Sequence, residues 1–376
     1  MKLKASVFFA SAVSTFALHA QAQSSVTVYG IIDEGVHYYT GTPVTGGGTG
    51  STVTATQGAL NASRFGFKGT EDLGGGRKAF FWLESGFTPG TGASNTSGLM
   101  FDRVALVGLS DPTLGAVSAG RQYNPAFGTG ANYDPLQFSN YLDDCFGLRL
   151  TGVRLDSSVA YRKQLNGFTF DALHAFGGVA GDAAPGSANS VALNYAGKSL
   201  SAGASWLSAK DSANRVASVL VGGATYTVSS VTLDALYIRS TRDAGFASAA
   251  SASGGPLSDS SLLSNTNLVA DGGTRTAKRT DNMFTVGAMF KVTPALFLTG
   301  GYNHDNATYA AGGTSGTTRG YYFVTDYFLS KRTDIYAMVD RVSLGGSEVT
   351  NASNLPLFAR GTTQRDGITF GVQTRF

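Results

Sequence analysis

Residues 368–376 read ITFGVQTRF. Ile368, Phe370, Val372, Thr374 and Phe376 fall on alternate positions, and Thr369, Gly371, Gln373 and Arg375 fall between them. Successive side chains of a β-strand point to opposite faces, so this stretch has one face that avoids water and one that accepts it. The pattern recurs upstream. Phe284, Val286, Ala288 and Phe290 oppose Thr285, Gly287 and Met289, and Ile335, Ala337 and Val339 oppose Asp334, Tyr336, Met338 and Asp340. After Gln23 no run approaches the roughly 18 apolar residues of a membrane-spanning helix, so any membrane crossing has to be made by strands.

The connections between these strands sort into two kinds. Seven are tight: residues 71–77 (EDLGGGR), 111–115 (DPTLG), 164–167 (QLNG), 196–199 (AGKS), 227–230 (TVSS), 293–295 (TPA) and 330–333 (SKRT). Eight are long and rich in Gly, Ser, Thr and Asn, near residues 40–59, 87–99, 122–156, 177–188, 208–216, 241–280, 305–319 and 344–364. Seven turns and eight loops connect sixteen strands. Tight turns on one side and long loops on the other are the habit of a transmembrane β-barrel with an even strand number, and a β-sandwich does not sort its connections this way. The expected fold is therefore an all-β, 16-stranded antiparallel transmembrane barrel. Aromatic residues at Tyr38, Tyr39, Tyr321, Tyr322, Phe323 and Phe328 are expected where strands meet the membrane surface. A barrel this wide cannot be filled by its own wall side chains, so its lumen holds water unless something plugs it.

Composition agrees. Fifty glycines, one cysteine and 14% charged residues do not describe an ordinary soluble enzyme. The 28 Lys and Arg against 25 Asp and Glu leave no basic surface for nucleic acid. Cys145 alone cannot form an intramolecular disulfide, and rigidity has to come from a closed hydrogen-bonded sheet. Residues 1–22, MKLKASVFFASAVSTFALHAQA, carry two lysines, a short apolar run and an A-x-A ending at Ala20 and Ala22, and they read as a cleaved signal peptide. The barrel domain is then 23–376. Of the histidines beyond it, His37, His174 and His304, none sits in an H-E-x-x-H or nucleophile-elbow context, and the glycine run at 45–52 lacks the G-K-[ST] ending of a phosphate loop. No enzyme, metal or cofactor is expected.

At SSVTVYGIIDEG (24–35), SRFGFKGTEDLGGGRKAFFWLESGF (63–87), FDRVALVGLS (101–110), GRQY (120–123) and LSKRTDIYA (329–337) the chain resembles the general trimeric porins of Gram-negative bacteria, particularly their betaproteobacterial branch. The likeness covers essentially the whole mature chain. It implies an outer-membrane homotrimer surrounded by lipid and lipopolysaccharide, and passive diffusion of small hydrophilic solutes. It also implies delivery to the barrel-assembly machinery through a C-terminal strand ending in Phe376, and a third long loop, here about 124–153, folded into the barrel opposite a cluster of wall arginines. Arg64, Arg121 and Arg154 match the family's wall arginines, and Arg103 is similar to a further one of the betaproteobacterial branch. The enteric version has a lysine soon after VYG where this chain reads Ile31, Ile32, Asp33, and the loop offers Asp134, Asp143 and Asp144 in place of PEFGG. Which aspartate meets the arginines is left open.

Alternation places Arg64 and Lys68 opposite Phe65 and Phe67, and Arg103 opposite Val104 and Leu106. A cation facing lipid at mid-bilayer costs about 2–4 kcal/mol, so all three belong in the lumen, with Asp33 and Glu84. Arg121 shares parity with Val117 and Ala119, so a bulge or strand end has to reorient it. Trp82, on the parity of Glu84, either narrows the wall or packs beneath the infolded loop. Clustered arginines keep their charge and raise the local anion concentration, which predicts an anion-preferring pore. The alternative is a substrate-specific channel for organic anions, phosphate or sugars, in which aromatic residues spaced along the lumen would favour a sugar track and the arginine cluster favours small anions. A purely structural or adhesive barrel would have an occluded lumen instead. The 241–280 loop reads as surface variation.

Overall fold

The structure, a computed structural model, describes residues 25–140, 144–248, 257, 260–265, 277–311, 314–350 and 361–376. The expected signal peptide lies outside the described residues. Eighteen strands are described: β1 (Ser25–Pro43), β2 (Thr49–Gln57), β3 (Arg64–Gly74), β4 (Arg77–Thr88), β5 (Ala93–Ser94), β6 (Val104–Asp111), β7 (Gly115–Tyr123), β8 (Arg154–Leu165), β9 (Phe168–Ala175), β10 (Ala188–Ala196), β11 (Leu200–Lys210), β12 (Val216–Val228), β13 (Val231–Arg242), β14 (Arg279–Lys291), β15 (Leu296–Ala311), β16 (Thr314–Phe328), β17 (Thr333–Gly346) and β18 (Gln364–Arg375). β2 and β3 pair with the two halves of β1 and together make one interrupted wall strand, and β5 pairs only with the end of β4. Sixteen antiparallel strands therefore form the wall, and β1 pairs with β18 in the register Ile31↔Arg375 to close it. Phe376 seals the seam: its backbone exchanges two hydrogen bonds of 3.1 Å with Gly30.

All seven tight turns fall between strands where expected. In the 164–167 turn, Asn166 and Gly167 have φ of 50° and 83°, the left-handed pair that a two-residue hairpin requires. The loop side departs from expectation in two places. Residues 40–59 are mostly strand, because Thr52–Thr56 continue the ladder opposite Gly35–Tyr39. Residues 305–319 are also mostly strand, because Asp305–Ala307 pair with Gly316–Thr318. Their polar composition misled because a hairpin standing above the membrane has water on both faces.

Outward-facing Phe284, Val286, Ile335, Val339, Ile368, Phe370 and Val372 are exposed, whereas their inward neighbours Thr285, Asp334, Met338, Thr369 and Gln373 are buried. This outer belt is the surface that meets hydrocarbon. Tyr38, Tyr321 and Phe323 face outward on it, but Tyr322 is buried in the interior, Tyr39 packs inward, and Phe328 lines the lumen. Adjacent aromatics cannot share a face, so only alternate members of the expected girdle belong to it.

Two segments fill part of the interior. Residues 124–153 leave the wall after Tyr123 and return at Arg154, carrying α1 (Pro125–Tyr133) and α2 (Asp144–Thr151). Asn124 caps α1 by accepting the Phe127 amide at 3.0 Å, while its own side-chain amide donates to Gly152 O at 2.8 Å and draws the neck of the loop together. The apolar faces of the helices (Ala126, Tyr133, Phe146, Leu150) bury against Leu207, Val219, Val221, Leu236 and Ile238 of β11–β13. The second segment corrects an expectation. The described part of 241–280 is not surface variation: Phe246, Leu257, Leu262 and Leu263 are buried in the same cluster, and Val153 N donates to Ser260 O at 2.6 Å and Leu263 N to Arg149 O at 2.9 Å. Above it, Arg279 bridges Asp281 (2.6 Å) and Glu348 (3.0 Å), and Arg242 meets the same Asp281. The two segments thus pack together against β11–β13, and an open passage runs between them and the opposite wall.

Candidate pore constriction

The passage is a cavity of about 930 Å³ between the infolded loop and the opposite wall, lined by Arg64, Lys68, Trp82, Glu84, Arg103, Arg121, Tyr123 and Arg154 on one side and Asp326, Phe328 and Arg375 on another. The loop contributes Phe127, Asn132, Leu136 and Phe138.

Glu84 is the centre of the cationic wall. Arg103 Nε donates to its Oε1 at 2.7 Å, Arg64 Nε lies 3.9 Å from its Oε2, and Tyr29 donates to the same Oε2 at 2.6 Å. Tyr123 is the second hub. Its hydroxyl donates to Glu84 at 3.4 Å and accepts from Arg103 (3.0 Å) and Arg154 (3.2 Å), and the Arg154 guanidinium lies 4.7 Å over its ring. Arg64 and Arg103 therefore meet the Glu84 carboxylate, Arg103 and Arg154 meet the Tyr123 hydroxyl, and Lys68 stands on the same wall. One phenol and one glutamate hold the guanidinium groups apart, which keeps like charges at fixed spacing inside a narrow space. Gly66 makes the arrangement possible: a β-carbon there would come within 2.7 Å of the Tyr29 hydroxyl that reaches across it to Glu84.

Lys68 is exposed to the lumen with its ammonium between two rings, 4.7 Å from Tyr29 and 4.3 Å from Trp82, and it has no carboxylate partner among the described residues. Trp82 Nε1 donates to the Tyr29 hydroxyl, so the indole is fixed in the wall while its face remains in the lumen.

Arg121 is reoriented by a bulge. Between the pairs Gly120↔Ser158 and Gln122↔Leu155 β8 carries an extra residue, with Ser157 at φ 49°. Its Nε donates to Asp102 O at 2.6 Å and it pairs with Asp156, so its charge is locally matched. Arg103 reaches the lumen by another route than alternation. Val104 and Leu106 pair with Glu84 and Trp82 and share their inward face, while Val107 and Leu109 face lipid, so the parity argument for Arg103 had the wrong face of β6. Arg103 precedes the strand, and its amide donates to Glu84 O at 3.2 Å. Apolar residues can face inward here because the infolded loop covers them.

The expected acids fare differently. Asp134 is buried and accepts the Leu136 and Phe138 amides, each at 3.0 Å, to shape the turn after α1. Asp143 lies outside the described residues, and Asp144 is described only as the first residue of α2. The carboxylate that Arg64 and Arg103 meet comes from the wall, not from the loop. Asp33 is not open to the lumen: residues 58–63 cover it, its carboxylate accepting from Asn61 N at 2.7 Å and from Tyr336 at 2.8 Å. The lumen acid that sequence reasoning missed is Asp326 of β16; Asp334 of β17 is buried and pairs with Arg375 at 2.7 Å. Tyr29 and Tyr123 were also missed. Tyr29 had a signal, since it shares parity with Asp33, which was already assigned to the water side.

Among solved structures the chain is similar to an anion-selective porin from Comamonas acidovorans, with a TM-score of 0.73 and 21% identity over 94% of this chain and 100% of that one. It is 35% identical to an outer membrane porin protein of Bordetella pertussis over 46% of this chain and 48% of that protein, and 43% identical to outer membrane porin protein 32 of Delftia acidovorans over 31% of each. The chain thus matches half or less of the length of these two relatives. The profile of the Gram-negative porins matches residues 10–347. With a closed sixteen-stranded wall, an infolded loop and that match, the chain belongs to the Gram-negative porin family.

Proposed function

We infer that the protein is an outer-membrane channel, not an enzyme, through which small hydrophilic solutes and ions diffuse passively, and that it prefers anions. The observation that carries this reading is the wall where Arg64, Lys68, Arg103 and Arg154 line an open passage together, with Glu84 paired to Arg64 and Arg103. Fixed cations in a space walled by low-dielectric protein raise the local anion concentration and lower the barrier for anion passage. Arg103 and Arg154 are held by hydrogen bonds to Glu84 and Tyr123, so their part of the field does not depend on flexible side chains finding each other. Likeness to a porin described as anion-selective agrees with it. In this reading residues 124–153 form the constriction, the apolar belt meets outer-membrane lipid, lipopolysaccharide surrounds the loop side, and the strand ending at Phe376 is the segment handed to the barrel-assembly machinery. Assembly as a homotrimer is taken from the resemblance at residues 24–35, 63–87 and 101–123.

The test is the reversal potential of purified protein in planar bilayers under a KCl gradient, for wild type and for Arg64→Ala with Arg154→Ala. An anion-favouring potential that moves towards cations in the double variant is expected. Absence of conductance would overturn the channel reading, and selectivity indifferent to these residues would overturn the choice of site.

A further inference from the structure

A second cavity of about 1010 Å³ continues from the constriction towards the tight-turn side, and Lys68, Trp82, Tyr123 and Phe127 line both spaces. Its wall is unlike that of a simple aqueous vestibule. Phe80 and Trp82, two residues apart on β4, both face into it. Beyond Trp82 the rings continue: the Trp82 and Tyr123 centroids are 6.1 Å apart, and Tyr123 and Phe127 stack at 5.3 Å with 13° between their planes. Phe80, Trp82, Tyr123 and Phe127 thus form an aromatic track beside the cations. Lys68 stands next to it, its ammonium over the Trp82 ring and without a carboxylate partner among the described residues. The exposed Asn132 of α1 adds an amide from the loop side.

The chemistry of the wall discriminates among solutes. A small inorganic anion is drawn by Lys68 but keeps its hydration shell and gains nothing from the rings. A neutral sugar has a face for the rings and no charge for the ammonium. A planar ring bearing a carboxylate meets both demands at once, its ring against Trp82 and Phe80 and its carboxylate on Lys68. We propose that the lumen between Phe80 and Phe127, centred on Trp82 and Lys68, is a binding site for small aromatic carboxylates. This rests on the channel reading above and gives that channel a solute class.

Binding can be measured apart from conduction. The chain has two tryptophans, and Trp206 faces outward, so in detergent-solubilised Trp206→Phe protein the fluorescence reports on Trp82 alone. Sodium benzoate and sodium acetate are titrated at matched ionic strength. Benzoate is expected to change the signal saturably, with half-effect at a concentration about two- to tenfold below that of acetate, the range one aromatic contact supplies. Lys68→Met in the same background is expected to weaken benzoate binding by at least about threefold, the scale of a partly desolvated charged contact. Equal half-effects for benzoate and acetate would overturn the proposal, whether or not the protein conducts. Benzoate binding unaltered in Lys68→Met would overturn the assignment of the carboxylate. Loss of conductance with benzoate binding intact would instead count against the channel reading and leave the site standing.

Discussion

At the scale of single residues, the constriction depends on a few positions that admit no substitute. Gly120 is one. Its φ of 128° is rare for an L side chain, and a β-carbon there would lie 2.1 Å from Ala105 O, so it sits where β7 closes on β6 just before Arg121 swings inward. Gly120→Ala is expected to lower stability by at least about 1–3 kcal/mol, seen as an earlier midpoint in urea, and to disturb the Arg121–Asp156 pair. A variant that unfolds with wild-type protein would mean that the bulge relaxes freely. Glu84 is the other. Glu84→Gln keeps the shape and one acceptor for Tyr29 but leaves Arg64 and Arg103 without their anion. The expected result is a reversal potential displaced further towards anions, together with a loss of about 1–3 kcal/mol in unfolding as Arg103 loses its charged partner. Unchanged selectivity would remove Glu84 from the field of the passage. Much of this was legible in sequence: SRFGFKG places Arg64 and Lys68 correctly because their neighbours Phe65 and Phe67 need lipid. Arg121 announced its own bulge through its conflict with Val117 and Ala119. Arg103 was placed in the lumen through a mistaken parity, since nothing local says that β6 begins only at Val104.

At the scale of elements, the packed interior matters as much as the open passage. α1 and α2 stay in place because the inner faces of β11–β13 are apolar where a water-filled pore would be polar, and because Phe246 and Leu262 cover α2 from the loop side. Truncating a fully buried phenylalanine or leucine typically costs about 2–5 kcal/mol. The cluster joins the two loops to the inner face of β11–β13. Phe246→Ala with Leu262→Ala is therefore expected to leave the barrel folded, with unaltered far-ultraviolet circular dichroism, while single-channel conductance rises and becomes noisier as the constriction helix loosens. A quiet, wild-type conductance would show that the 241–280 loop merely covers the constriction without holding it. The sequence held a clue to the packed interior. ASVLVGG at 217–223 is apolar on consecutive positions, which a strand with lipid on one side and water on the other has no reason to be. Val219 and Val221 face the helices, and Leu220 faces outward. The strand count survived such local ambiguities because tight turns, unlike loops, have to satisfy a steric rule at particular residues, as Asn166 and Gly167 do.

At the scale of the whole molecule, charge is sorted by sector. The lumen cations come from β3, the residue before β6, and the start of β8, whereas Asp326 comes from β16 across the passage, near Arg375 and its buried partner Asp334. A solute crossing the narrow zone therefore meets a transverse field as well as a net positive potential, and dipolar molecules are oriented by it. The two sectors answer differently to acid. Arginine and lysine keep their charge throughout the accessible range, so acidification alters only the carboxylates, Glu84 on the arginine wall among them. As pH falls, each lumen acid that takes up a proton makes the passage more positive and none can make it less so. The anion-to-cation permeability ratio is accordingly expected to rise between pH 7 and pH 4. The rise should be larger at 0.01 M salt, where fixed charges reach about 30 Å, than at 1 M, where they reach about 3 Å. Reversal potentials at those four conditions decide the matter. A ratio independent of pH at low salt would mean that the acidic sector is neutralised by Arg375 and its neighbours and that ions sense the arginine wall alone.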